Sequence, residues 1–339
     1  MTVGHGRMDP RAGRPPSSEN RMPTPEPCFT IFIPTYNRAG LLPRAFASIE
    51  AQTFRDFEVV IVDDGSTDDT GRLVADWKAQ VTFPVVYAKQ ANQGKYAAQN
   101  AGVALARGRF FFLLDSDDRL LPDTLERILA HWESIPEGER DRFAGVEGLV
   151  QSMDGRRTLS KPYPQSPLDA SYLDVRYRMG IGGDKKHAVL TDILRRFPYP
   201  IFPGEKHIRD SITWKRMAHE YLLRCVNEPF QQVEYQADGL TSNRFAARMS
   251  SPRGFRLFYL EDVTLHRPWL SRRQLRRSLI DFIRFSLHCG VGFWRQGREV
   301  RFDPFWLILS PAGLVRWLVD LYRLRFKGGR HPNKKKARN

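Results

Sequence analysis

Two acidic runs suggest metal or phosphate chemistry: Asp63-Asp64, and Asp115-Ser116-Asp117-Asp118. Each follows a short apolar stretch, FEVVIVDD (57–64) and RFFFLLD (109–115), so both are expected at strand ends. In extended backbone, residues two apart point the same way, which would let Asp115 and Asp117 address one target. Neighbouring carboxylates repel unless a cation or hydrogen-bond donors compensate. A hard divalent ion held by one or two carboxylates and the oxygens of a diphosphate meets that need. Taken singly, either run also reads as solvated, turn-forming acids ahead of a helix. Their occurrence together at adjacent strand ends favours a shared site.

The elements that must position them are legible from periodicity. CFTIFIP (28–34), FEVVIVDD, FPVVYA (83–88) and RFFFLLD read as strands. Between them 39–50, a segment ending near Ala79, and 93–106 read as helices, with a fourth helix after Pro122 that ends near Trp132. Four strands alternating with helices predict a parallel, doubly wound sheet, in which ligands bind beyond the carboxyl ends of the strands. Thr35-Tyr36-Asn37 after the first strand, Asp63-Asp64-Gly65 after the second and 115–118 after the fourth are therefore expected on one edge. Residues 143–183 give no clear period. Ile208 to Tyr221 reads as a helix. LLRCV (222–226) and FQQVEY (230–235) read as strands around an Asn227-Glu228-Pro229 turn, and helical patterns return beyond Pro252.

Composition bounds the function classes. The chain has 339 residues and a formal net charge of +15. Residues 28–265 carry 31 basic and 31 acidic side chains, whereas 266–339 carry 18 Lys and Arg against four acids. The excess is a property of the tail, which argues against a dedicated nucleic-acid binder. Cys28, Cys225 and Cys289 have neither zinc-ligand nor disulfide-framework spacing, which suits a reducing compartment. His187, His207 and His219 show no ligand spacing and read as structural. Residues 1–27, rich in Pro, Gly, Arg and Ser, read as a disordered lead-in without a secretory apolar stretch.

In the tail, Arg272, Arg273, Arg276 and Arg277 group on a helix whose other stripe is Leu275, Leu279, Phe282, Ile283 and Leu287. The segment Phe305 to Tyr322 is apolar but interrupted by Pro311, Arg316 and Asp320, so it is expected to lie on a membrane rather than cross it. With its tryptophans and LysLysLys at 334–336, the stretch 266–339 suggests an anionic membrane surface as partner. The expected location is cytoplasmic, peripheral on the inner face of the plasma membrane.

FTIFIPTYNRAGLLPRAFASIEAQTFRDFEVVIVDDGSTDDT, followed by NQGKYAAQNAGVALARGRFFFLLDSDDRLLPDTL, resembles the amino-terminal half of bacterial family 2 inverting glycosyltransferases of the GT-A fold. The resemblance covers about 100 residues. It implies an α/β fold with a nucleotide-binding, mostly parallel sheet flanked by helices and a C-terminal helical extension. The organisation would be a lead-in at 1–27, a GT-A domain at 28–250 (28–135 for the nucleotide sugar, 136–250 for the acceptor) and a basic amphipathic extension at 251–339.

By the same resemblance Pro34, Thr35, Tyr36, Asn37, Asp63, Asp64, Lys95, Asp115 and Ser116 would bind the donor, with Tyr36 stacking on the base, Asp64 meeting its edge and Asp115 meeting the ribose. Asp117 would hold Mg²⁺ or Mn²⁺ across the two phosphates, with Asp118 a weaker ligand. The family often has Arg where Gln99 stands, so Lys95 would supply part of that charge. A weaker resemblance over 182–243 to an acceptor half makes Asp210 the general base and Glu205 the alternative. The implied reaction moves a sugar from a nucleotide donor, UDP-type favoured, to a glycan or lipid-linked acceptor, as in surface polysaccharide synthesis. A nucleotidyltransferase acting on sugar phosphates, or an inactive transferase-like binding protein, stays open at this stage.

Overall fold

The computed structural model describes residues 26–234 and 244–327. All but the last two residues of the expected lead-in, the Asp238-Gly239-Leu240 segment and Lys334–Lys336 lie outside the described residues.

The first half follows the expected alternation: β1 (Phe29–Thr35), α1 (Leu42–Glu50), β2 (Phe57–Asp63), α2 (Thr70–Lys78), β3 (Val85–Lys89), α3 (Lys95–Leu105) and β4 (Phe110–Leu113). These four strands pair in parallel in the order β3-β2-β1-β4. Every residue of β1 and β2 is buried, as expected for strands covered by helices on both faces. Thr35 stands level with Asp63 in the register, so the polar segments that follow β1 and β2 leave the sheet on the same edge. Gly102 of α3 sits where a Cβ would lie 2.3 Å from the Phe32 ring, and this lets the helix press onto β1.

The second half is mixed. After β5 (Arg119–Leu120) and α4 (Thr124–Glu133) come β6 (Phe143–Ser152), β7 (Leu168–Ala170), β8 (Lys185–Leu190), α5 (Thr191–Arg196), α6 (Ser211–Met217) and β9 (Leu222–Val233). The sheet continues from β4 through β8, β6 and β9 to β5, with β7 on β9. β8 runs antiparallel to both β4 and β6, while β6 and β9 are parallel. The expected turn at Asn227-Glu228-Pro229 is instead the middle of β9. The ladder with β6 shifts register there, so a proline is accommodated at a bulge. The Asn227 carboxamide pairs with the backbone of Tyr163, accepting from its N–H at 2.8 Å and donating to its carbonyl at 2.9 Å.

The remaining helices are α7 (Arg244–Met249), α8 (Pro252–Thr264), α9 (Arg272–His288), α10 (Phe293–Glu299) and α11 (Pro304–Lys327). Their core crosses the expected boundary at 250/251. Tyr199, Ile208 and Ile212 form one cluster with Phe255, Phe258, Phe282, Ile283 and Phe285. Lys215 of α6 forms a buried ion pair with Asp262 of α8, whose other oxygen accepts from Ser278 at 2.9 Å. Arg216 pairs with Glu261 alongside.

α11 covers the segment expected at a membrane. Pro311 sits inside it without ending it, and Pro304–Phe326 is long and apolar enough to cross a membrane by length and composition, with a mean hydropathy of 1.3 over an 18-residue window. The two interrupting charges are taken up by α9. Arg316 reaches Asp281 at 3.0 Å, and buried Asp320 meets Arg284 at 2.7 Å and His288 at 3.0 Å. The opposite faces expose Leu307, Ile308, Val315, Leu318, Tyr322 and Phe326, each about half or more exposed.

Candidate active site

A cavity of 760 Å³ opens over the carboxyl ends of β1, β2 and β4 and is closed by residues 172–187 and 206–214. All three polar runs reach it, through Thr35 and Tyr36, through Asp64, and through Asp115 to Asp118.

The β1 and β2 loops are locked to each other. Asn37 has a φ of 51°. Its N–H donates to Ser66 Oγ at 2.8 Å, and its side-chain oxygen accepts from the Thr67 N–H at 2.8 Å. It therefore shapes the loop rather than lining the cavity, and it holds Tyr36, 47% exposed, at the mouth beside Pro34. Asp63 also serves the scaffold. It is fully buried and accepts from Ser66 N–H and Tyr87 O–H, both at 2.7 Å; burial, reinforced by that contact, pushes the tyrosine hydroxyl up.

Asp64 lines the cavity, but most of its carboxylate is engaged. Oδ1 accepts from Gln90 Nε2 and the Gln93 N–H at 2.8 Å, and Oδ2 from the Gly94 N–H at 2.7 Å. Of about four lone-pair directions one is left for a ligand. Gly94, at φ +95°, begins α3, and a Cβ there would lie 2.2 Å from the Lys206 carbonyl oxygen.

The acids after β4 behave differently from one another. The backbone does not stay extended, because Ser116 and Asp117 turn and the Asp118 N–H bonds the Asp115 carbonyl at 3.0 Å. Asp115 and Asp117 therefore do not share a target as adjacent strand positions would. Asp115 lies between Lys95 and Lys186, the second at 3.0 Å. Burial opposes its charge, but the two ammonium groups win and hold its carboxyl far below the ordinary range. Asp117 makes no ion pair among the described residues, and burial, then the charge of Asp115, raise its carboxyl. Asp118 is buried, accepts from Gln231 Nε2 and lies 3.8 Å from Lys186. Burial, reinforced by Asp115 and Asp117, pushes it up to about 7.

No group of three His, Cys, Asp or Glu residues poised for a metal occurs among the described residues. A divalent ion held by one or two carboxylates and a substrate's phosphates needs no such cage. Asp117, half-buried in the wall and raised by burial and by the charge of Asp115 although Arg38 and Lys95 lie near enough to oppose this, fits that demand; Asp118 is further committed.

Across the cavity, Asp210 caps α6. Its Oδ1 accepts the Ser211 N–H at 2.7 Å, and the residue remains exposed to the cavity. Glu205 is not among the lining residues. Its carboxylate accepts from the Arg253 N–H at 2.9 Å, Arg253 Nε at 3.0 Å and the Gly254 N–H at 2.9 Å, so it anchors the start of α8.

Several lining residues escaped the sequence reading. Lys186 supplies a second ammonium to Asp115, and the absence of an arginine at Gln99, itself in the wall, was the signal that a cation had to come from elsewhere. His187, expected to be structural, pairs with buried Glu147 and stacks on Trp214 with centroids 4.0 Å apart, both rings lining the cavity. Tyr172, Arg176 and Tyr177 come from the stretch without a clear period.

Residues 30–176 match the family model described as Glycosyl transferase family 2. An uncharacterized glycosyltransferase of Nostoc sp. is 36% identical over 139 residues, 41% of each chain. A PGL/p-HBAD biosynthesis glycosyltransferase of Mycobacterium bovis is 42% identical over 105 residues, 31% of this chain and 41% of its own. The matched region thus spans about two fifths of these relatives. Among solved structures, S. aureus TarS 1-349 in complex with UDP-GlcNAc aligns with a TM-score of 0.55 at 19% identity, over 86% of this chain and 79% of that one. The mannosyltransferase PcManGT of Pyrobaculum calidifontis, in complex with GDP-Man and Mn²⁺, aligns with a TM-score of 0.50 at 18% identity, over 90% and 89%. At these identities the likeness shows the fold, which is GT-A.

Proposed function

The chain carries a glycosyl transferase family 2 domain, and from that premise we propose that it is an inverting glycosyltransferase that moves a sugar from a nucleotide donor to a hydroxyl of a glycan or lipid-linked acceptor. The observation that carries this reading is the presence, in one 760 Å³ cavity, of a half-buried carboxylate held by no ion pair among the described residues, Asp117, and an accessible one, Asp210.

Thr35, Tyr36, Asp64, Lys95, Asp115 and Ser116 bind the donor, with Tyr36 as the stacking face for the base and Lys95 and Lys186 keeping Asp115 ionised. Asp117, with Asp118 behind it, holds Mg²⁺ or Mn²⁺, which when bound neutralises charge on the departing diphosphate. Asp210 accepts the proton of the acceptor hydroxyl as the oxygen attacks the anomeric carbon opposite the leaving nucleoside diphosphate. Glu205, which accepts three hydrogen bonds from Arg253 and Gly254 and does not line the cavity, is the poorer base. A UDP-type donor is favoured by the sequence resemblance, and the structural relatives bind UDP-GlcNAc and GDP-Man. A role in surface polysaccharide synthesis at the cytoplasmic face of the membrane completes the proposal.

The test is a panel of nucleotide sugars with Mg²⁺ or Mn²⁺, scored by nucleoside-diphosphate release and product anomeric configuration. Asp117→Asn abolishes both hydrolysis and transfer. Asp210→Asn abolishes transfer and keeps donor binding. Metal-dependent turnover in Asp117→Asn sinks the assignment.

Membrane attachment is supported by α11. A helix that buries Asp320 against α9 and turns many of its large apolar residues outward departs from the usual arrangement of a surface helix, and a lipid phase is the medium that accommodates it. Co-sedimentation with vesicles containing phosphatidylglycerol is expected for the full chain and lost in Ile308→Glu/Leu318→Glu; unaltered binding by that variant refutes this role for α11.

A further inference from the structure

The donor reading leaves a set of cations unused. Arg176, Lys206 and Arg209 line the cavity together with Asp210, and Lys206 and Arg209 belong to the loop that leads to it. None forms an ion pair with a carboxylate side chain among the described residues. The Arg209 guanidinium lies over the Phe258 ring, 4.8 Å from its centroid, and faces Tyr172, Tyr177, Tyr259 and the adjacent Asp210. Arg176 reaches back over Gly182, where a Cβ would come within 2.8 Å of its Nη1. Lys185 stands on the same wall, its ammonium brought down to about 8 by burial, with Arg176 adding to the effect. The acids sharing this wall are few: Asp184, Asp210, and Glu147, which is committed to His187 and Tyr163.

Cations thus gather near Asp210 as well as on Asp115, where Lys95 and Lys186 are already paired. Guanidinium groups match phosphate oxygens in a planar fork, and lysine adds a point charge. Tyr172, Tyr177 and Trp214 supply flat faces beside them, as a sugar or polyol ring requires. We propose that this wall is a phosphate-binding subsite for the acceptor, so that the hydroxyl deprotonated by Asp210 belongs to a molecule bearing a phosphate monoester or diester close to it. The inference rests on the glycosyl-transfer reading and names the class of its acceptor. The phosphate belongs either to a soluble polyol phosphate or to a lipid headgroup.

The full chain, supplied with its donor and divalent metal, is assayed with glycerol, with glycerol 1-phosphate, and with phosphatidylglycerol in vesicles, while donor hydrolysis is followed in the same samples. A preference of tenfold or more in kcat/KM for glycerol 1-phosphate over glycerol assigns the subsite to a polyol phosphate. The same preference confined to phosphatidylglycerol assigns it to a lipid headgroup. Arg176→Gln/Lys206→Gln, which alters two exposed side chains, is expected to erase the preference at least tenfold through KM; inorganic phosphate is expected to compete with the acceptor in wild type and lose that effect in the variant. Equal turnover of all three acceptors, or an undiminished preference in the variant, overturns the inference while hydrolysis leaves the transferase reading standing. Absence of donor hydrolysis under every condition removes the reading itself.

Discussion

Replacing Asp262 with Asn removes the countercharge of Lys215 with almost no change in shape. Lys215 and Asp262 are 1% and 3% exposed, and the ammonium also lies 3.7 Å from the centroid of Phe258. Even with its partner present, burial outweighs the attraction and brings Lys215 from its ordinary 10.5 down to about 8. Without Asp262 it falls further, until at pH 7 the amine folds neutral. Breaking a buried pair by removing one partner costs about 3–5 kcal/mol; loss of the Lys215 proton itself accounts for about 1.4 kcal/mol of this at pH 7, one unit below 8.

At about 2 °C per kcal/mol for a chain of this size, Tm at pH 7 is expected to drop by roughly 6–10 °C. The pH dependence has a definite sign. A lysine depressed in the fold has released a proton that the unfolded chain still holds between about 8 and 10.5, so stability rises with pH through that window. In Asp262→Asn the window extends below 8, and the gap from wild type therefore narrows by pH 10. Differential scanning calorimetry at both pH values measures it, and Lys215→Met/Asp262→Leu is expected to recover most of the loss. A Tm within about 2 °C of wild type at pH 7, or a gap that does not narrow by pH 10, refutes the reasoning.

Asp118→Asn is expected to raise Tm at pH 8 and to change it little at pH 4. The native carboxyl, raised to about 7 from 3.8, holds a proton the unfolded chain sheds in that interval, so its ionisation works against the fold as pH rises; an equal shift at both pH values counts against this. Lys186→Met removes one of two ammonium groups from Asp115 and, at about 1.5–3 kcal/mol for a hydrogen bond to a charged group, raises the donor KM roughly 10- to 100-fold. Adding Gln99→Arg restores part of that loss in steady-state kinetics, and no recovery means the two positions do not share a role. A chain ending at residue 265 loses Phe282, Ile283 and Phe285 from the cluster that holds Tyr199, Ile208 and Ile212; it is expected to unfold, as a lost cooperative transition in far-ultraviolet circular dichroism would show.

The parallel half of the fold was readable because its signals are local. β1 and β2 are continuous apolar runs ending in polar residues, and the rule for strand ends brought Tyr36, Asp64 and Asp115–Asp118 together correctly. The finer roles were not readable, since they depend on partners distant in sequence. Asp63 is spent on Tyr87 and Ser66, and Glu205 on Arg253 and Gly254. Pro229 reads as a turn in one dimension, and only the bulged ladder with β6 makes it a strand residue. The charges that interrupt α11 look prohibitive until Asp281, Arg284 and His288 of α9 are seen to meet them.

The Lys206 carbonyl occupies the space a side chain at residue 94 would need. The turn whose N–H groups bind Asp64 and the loop that leads to Asp210 therefore rest directly on each other. On the proposed reading, movement of the 92–95 turn on nucleotide binding would reach the loop that leads to Asp210, and ordered addition is the expected result: nucleotide sugar first and nucleoside diphosphate last, read out as product inhibition competitive against the donor and noncompetitive against the acceptor.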